Sequence, residues 1–141
     1  MIWQTLKRWY HMLGSPRYFY TFSSRVLPWL APIALLTLAA GLVWGLAFAP
    51  ADYQQGNSYR IIFIHVPASS GALMGYMALG VSGLVAVVWR MKMAEVMLKA
   101  LAPFGAALAA VSLLTGALWG KPTWGTYWQW DARMTSMLIL L

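Results

Sequence analysis

From Ile61 to Trp89 the chain reads IIFIHVPASSGALMGYMALGVSGLVAVVW, with Arg60 just before it and Arg90 just after. No Asp, Glu, Lys or Arg interrupts the run, which is longer than the roughly 20 residues a helix needs to cross a bilayer. It reads as a membrane span that tilts or protrudes beyond the hydrocarbon. His65 lies near its start, two positions before Pro67. An ionisable group at such a depth is costly unless it is paired or functional. Two readings stay open for it: an imidazole bonded to a nearby carbonyl or interfacial water, and a metal ligand. Gly71 and Gly75 offer a small-residue face on which another helix can pack.

The rest of the chain repeats this pattern. At 61 % hydrophobic and 9 % charged residues, it departs from soluble domains, in which about a quarter of residues are charged. Apolar runs over 28–49 and 100–118 read as further spans, with G-x-x-x-G steps at Gly41/Gly45 and Gly116/Gly120. Ala47-Phe48-Ala49 after a basic start imitates a signal-peptide cleavage site. The run exceeds the 7 to 15 residues of such a region and Pro50 follows the cut, so a retained helix is expected. Residues 134–141 begin a fourth apolar run, far shorter than a crossing requires, and the chain reads as the N-terminal part of something longer. The expectation is an all-α polytopic integral membrane helix bundle, with about three full spans plus the start of a fourth. A leader over 1–27 precedes a transmembrane domain over 28–141.

Charge sets the orientation. The net charge is +7, but the basic residues sit at the ends of apolar runs rather than on one face, so no nucleic-acid partner is expected and membrane lipid is. Lys7, Arg8, Arg17 and Arg25 gather in the leader, and Arg90, Lys92 and Lys99 in the loop expected over Arg90 to Lys99, whereas the other two loops are nearly neutral. By the positive-inside rule the N-terminus is cytoplasmic. The His65 end, the Asp52 loop and the segment 119–133 then share the outer side. In the leader, Trp3, Leu6, Trp9, Tyr10 and Leu13 follow helical spacing, as in a helix lying on a membrane surface. His11 reads there as an interfacial residue.

The outer segment 119–133 holds Trp119, Trp124, Trp128 and Trp130 among glycines, Pro122, Lys121, Asp131 and Arg133. Pro122 and Gly125 argue against continuing the preceding helix. A helix restarting near Thr123 would align Trp124, Trp128 and Asp131 at i, i+4 and i+7, forming a flat aromatic shelf edged by charge. Three readings stay open: an interfacial aromatic belt, a platform for a planar ligand with anionic groups, and a protein-docking surface.

Trp124-Gly125-Thr126-Tyr127-Trp128-Gln129-Trp130-Asp131 resembles the W-G-x-x-W-x-W-D motif of the haem-handling proteins of cytochrome c biogenesis. The short leader, the Pro50 to Asn57 loop, Tyr59 to Pro67 with its His-Val-Pro, and Trp119-Gly120-Lys121-Pro122 are similar to the CcmC family of the bacterial cytochrome c maturation system. The resemblance covers nearly the whole chain. It implies a protein of the bacterial cytoplasmic (inner) membrane that binds haem b non-covalently on the periplasmic side and hands it to a periplasmic haem chaperone. It also implies ABC-transporter-type membrane and ATPase subunits and a small single-span accessory subunit as partners.

Under that resemblance His65 takes the position of an axial ligand to the iron. Trp119, Trp124, Trp128, Trp130 and Asp131 take the haem-presenting positions. Lys121 and Arg133 are added as propionate partners on the ground of charge. The family has six spans and a second haem-associated His in a later outer loop, so the second ligand is expected from outside this chain. With no cysteine, thioether attachment is excluded. No nucleophile with a paired base and no phosphate-cradling Gly-rich loop is found, so a binding and delivery protein is expected, not an enzyme. Two other classes remain: a structural or assembly subunit of a transporter complex that binds no haem, and a quinone-linked redox protein.

Overall fold

A computed structural model of the chain describes residues 2–141; the side chains of Tyr10 and Leu13, placed above on the apolar face of the leader, lie outside the described residues. The protein is all-α. Helix α1 spans Ile2–Leu13, α2 Pro16–Val43, α3 Ile62–Trp89, α4 Lys92–Trp124 and α5 Ala132–Leu140. A π-helical turn, Trp44–Phe48, extends α2, and a 3-10 turn, Asn57–Ile61, leads into α3. Three continuous helical stretches, Pro16–Phe48, Asn57–Trp89 and Lys92–Trp124, are long and apolar enough to cross a membrane, at 33 residues each. Each is about 50 Å long at 1.5 Å per residue, so its ends reach past a hydrocarbon core about 30 Å thick.

The helices overrun the expected limits. Residues 16–27 are not a separate leader segment but the first turns of α2, which starts where Ser15 is extended and Pro16 occupies the first turn, a position where the missing N–H costs nothing. The helix continues through Pro28 and Pro32, as membrane helices tolerate. The basic loop expected over Arg90 to Lys99 shrinks to Arg90 and Met91. Arg90 closes α3 in the left-handed conformation (φ 50°), and α4 begins at Lys92 with Glu95 in its first turn, where an acid suits the helix dipole.

Helices α3 and α4 form the core as an antiparallel pair. Their facing residues, His65 with Thr115, Ser69 with Ser112 and Gly75 with Gly105, run in opposite directions along the two helices. Apart from Met93 near the start of α4, the buried positions are small: Ala68, Ala72, Gly75 and Ser82 on α3, and Ala94, Gly105, Ala109, Ser112 and Gly120 on α4. Small side chains let two backbones approach closely, which replaces the hydrophobic drive that lipid removes. Gly71 lies against Leu108, and Gly41, expected in a packing step, meets nothing within 4 Å.

Helix α2 has no buried residue and is held to the start of α3 at its C-terminal end. There Gly45 lies against the Phe63 ring, so closely that an added Cβ would fall 2.5 Å from Cγ. Arg60 donates from Nε and Nη2 to the Ala49 carbonyl (3.0 and 2.8 Å) and from Nη1 to that of Leu46 (3.1 Å). These carbonyls are left over where the π-helical turn stops, and a guanidinium supplies enough donors to satisfy both.

The tryptophan-rich segment does not restart as a helix near Thr123. Pro122 is absorbed in the last turn of α4, which ends at Gly125, left-handed at φ 78° with its N–H on the Lys121 carbonyl (3.0 Å). Glycine adopts that conformation without a Cβ penalty. Residues 126–131 are irregular, and Asp131 caps α5 by accepting from the Met134 N–H (2.8 Å) while pairing with Arg133 (2.9 Å). At the other end of α5, the Tyr76 hydroxyl donates to the Leu140 carbonyl.

Replacing Ala109, fully buried between α3 and α4, by Leu is expected to cost about 1–3 kcal/mol by overpacking; Gly41→Ala, in open space, should cost nothing. Thermal unfolding in detergent separates the two. The Asp131 carboxyl is held below the ordinary carboxylate range, first by the Met134 N–H and then by the Arg133 side chain. A carboxyl whose folded pKa lies below its unfolded value stabilises fully above that unfolded value, about 3.9, and loses its effect as pH falls through the folded value. Amide exchange at Met134, corrected for intrinsic rates, should therefore show constant protection from neutral pH down to about pH 5 and opening only below about pH 4. Equal protection in Asp131→Ala would remove the carboxylate as its cause.

Candidate functional site

The fold leaves a cleft of about 520 Å³ between the N-terminal part of α3, the C-terminal part of α4 and the start of α5. His65, Ser69 and Leu73 line it from α3, Ser112, Leu113, Gly116, Trp119, Thr123 and Trp124 from α4, and Asp131, Arg133, Met134, Ser136 and Met137 from the cap and first turns of α5. Gln55 reaches it from the loop after α2. The volume falls in the range usual for cofactor and small-molecule sites, about 300–1,000 Å³.

His65 is fixed from both sides. Its Nδ1 lies 3.0 Å from Thr115 Oγ1, and its Nε2 lies 3.4 Å from Ser69 Oγ, which itself meets Ser112 Oγ at 2.6 Å. Gly116 makes room for the ring, since a Cβ there would lie 3.0 Å from Cε1. Trp119 packs edge-on against the imidazole, with centroids 5.7 Å apart and planes at 71°. Its indole Nε1 donates to Gln55 Oε1 (2.7 Å). Gln55 owes its place to Asp52, whose Oδ1 accepts from the backbone N–H groups of Gln54 and Gln55 and folds the loop into a turn closed at Gly56. One short loop thus steadies the indole that leans on the histidine.

At the α5 side of the cleft, the Arg133 guanidinium lies 5.6 Å from the Trp124 ring centroid while bound to Asp131. It is exposed and bears the cleft's permanent positive charge. Lys121 does not line the cleft. Its Nζ donates to the Gly125 carbonyl (3.1 Å) and sits 5.2 Å from the Tyr127 ring centroid, closing the turn that ends α4.

The tryptophans are divided rather than laid out as one flat shelf. Trp119 and Trp124 line the cleft, whereas Trp128 and Trp130 do not. The latter two pack on each other edge to face, 5.3 Å apart at 76°, with Trp130 77 % exposed. Trp128 is half-buried, and its indole N–H is buried without a partner. The division follows from the end of α4 at Gly125, which puts Trp124 on a helix and Trp128 and Trp130 in irregular chain.

The sequence does not single out Gln55, Ser69, Ser112, Thr115, Met134 or Met137, and it offers Gly116 only as a helix-packing step. Ser69 was within reach as the residue one helical turn after His65. Ser112, Thr115 and Gly116 share one face of α4 at i, i+3 and i+4. Gln55 had no spacing signal, because a turn places it. His11 is exposed on α1 and takes no part in the cleft.

The donor set is spare. Among the described residues no three His, Asp or Glu side chains converge on a point where they could hold a metal ion. A metal here would meet one imidazole and bring most of its ligands with it. Aromatic walls, one imidazole and a guanidinium suit a flat, largely apolar metal complex with acidic substituents.

Residues 9–141 match the CcmC family, described as heme exporter protein C. The heme exporter protein C of Escherichia coli strain K12 is 48 % identical over 140 residues, covering 99 % of this chain and 56 % of the relative. That of Haemophilus influenzae is 47 % identical over 133 residues, covering 94 % and 54 %. That of Bradyrhizobium diazoefficiens is 49 % identical over 128 residues, covering 91 % and 48 %. The chain spans about half the length of the curated relatives it matches. By the match over nearly its whole length, and by identity close to one residue in two, this all-α membrane chain belongs to the CcmC, or heme exporter protein C, family.

Proposed function

We propose that this chain binds haem at the outer face of the bacterial cytoplasmic membrane and presents it to a periplasmic haem chaperone during assembly of c-type cytochromes, without catalysing turnover itself. The observation that carries the reading is the meeting of His65, Trp119, Trp124 and Arg133 around one cleft. The name of the relatives, heme exporter protein C, supports haem as the cargo and export as the setting.

The residues fit that cargo. Haem iron takes an axial imidazole, and His65 offers one at the wall of the cleft. Indole faces and edges at Trp119 and Trp124 suit the macrocycle. Arg133 is placed to exchange its carboxylate, Asp131, for a propionate, and Lys121, outside the cleft, is the weaker candidate. The haem itself is cargo that acquires its covalent link on the chaperone. Trp128 and Trp130, edge to face with Trp130 largely exposed, form an aromatic surface of the kind partners bury. The unburied α2 is available to lipid or to the ABC-transporter-type and single-span subunits of the complex. The asymmetry of basic residues supports a periplasmic site.

Purified in detergent and supplied with haem, the protein should bind it stoichiometrically. His65→Ala and a Trp119→Ala/Trp124→Ala double variant should each weaken binding by at least about tenfold, or 1.4 kcal/mol, with a changed optical spectrum. Trp128→Ala/Trp130→Ala should retain haem and lose transfer to the chaperone. A folded protein that takes up no haem would leave a structural or assembly role in its place.

A further inference from the structure

The hydroxyls around His65 do more than fill space. A hydroxyl has one proton to give and two lone pairs to offer. Thr115 Oγ1 lies 2.7 Å from the Val111 carbonyl and 3.2 Å from that of Ser112, so its proton goes back to its own helix. Toward His65 it can then only accept, and the Nδ1 it faces at 3.0 Å carries the hydrogen. A neutral imidazole protonated at Nδ1 has a bare lone pair at Nε2. The polar group facing that nitrogen, Ser69 Oγ, stands at 3.4 Å and is engaged at shorter range with the His65 carbonyl (2.8 Å) and Ser112 Oγ (2.6 Å). Ser69 and Ser112 line the cleft and Thr115 does not. The protonated edge of the ring therefore faces the helix pair, and the bare edge faces the cleft.

We propose that Thr115 is a positioning residue, which locks His65 in the Nδ1–H tautomer and turns an unprotonated Nε2 toward an electron-pair acceptor in the cleft. That the acceptor is haem iron rests on the function proposed above; the tautomer lock does not. A hydrogen bond from the far nitrogen of a metal-bound imidazole fixes its orientation and raises its basicity, and loss of such partners typically weakens metal binding by 10–100-fold. A threonine serving only its own helix would bond back to Val111 and leave the ring free to choose either tautomer.

The tautomer is readable without haem. In the detergent-solubilised protein labelled with 15N-histidine, at about pH 8, where an imidazole of ordinary pKa is neutral, the His65 signals are assigned by their loss in His65→Ala. They should show the proton on Nδ1 and a bare Nε2. Thr115→Val should mix or reverse the tautomers, and Thr115→Ser should restore them. In the haem-loaded protein Thr115→Val should weaken binding by about 10–100-fold and shift the iron–histidine stretching band, again with rescue by Ser. A wild-type proton on Nε2, or a tautomer unmoved in Thr115→Val, overturns the proposal, and the first of these needs no variant to fold. A tautomer that responds to Thr115 in a protein that binds no haem supports the lock and overturns the haem reading instead.

Discussion

Close contact between α3 and α4 is the constraint on which the remaining structure depends. Lipid is as apolar as any side chain, so the two helices cannot be driven together by water; they associate because Ala68, Ala72 and Gly75 face Gly105, Ala109 and Ser112 with little between the backbones. At that separation short hydroxyls reach across. Ser69 meets Ser112, and Thr115 meets His65, only because no larger residue props the pair apart. Gly116 extends the same economy of volume under the imidazole.

The end of the pair that carries the cleft is organised by polar atoms instead. Arg60 ties off the carbonyls at the end of α2, Asp52 folds the loop that carries Gln55, and Asp131 starts α5 where the chain would otherwise drift from the helix pair. These side chains answer to particular backbone groups, and the Asp52 turn and the Asp131 cap bring Gln55 and Arg133 to the cleft that His65 opens.

This contrast explains what could be read in advance. Helices that satisfy their own backbone in lipid leave a long apolar signature, and Ile61 to Trp89 became α3 almost residue for residue. Their ends were harder to see. Arg17, Arg25 and Lys92 are compatible with a helix passing through headgroups, so polarity marked the membrane boundary and not the helix boundary. Within the site, His65 and the tryptophans stood out by type. The flat arrangement expected for Trp124, Trp128 and Asp131 failed because Gly125 in a left-handed turn outweighs helical spacing. Ser69, Ser112 and Thr115 stayed hidden because their role comes from pairing across two helices, which one sequence does not display.

The two-residue connection at Arg90 and Met91 bears on how the protein is made. On an isolated α3 the Ser69 hydroxyl can bond back to the His65 carbonyl, but the imidazole would enter lipid without the threonine it meets across the pair. Joined so tightly to α4, they find Thr115 and Ser112 within the same hairpin. The hairpin, rather than the single helix, is thus the smallest piece in which the Nδ1 edge of the imidazole has its hydroxyl partner and the two serines meet.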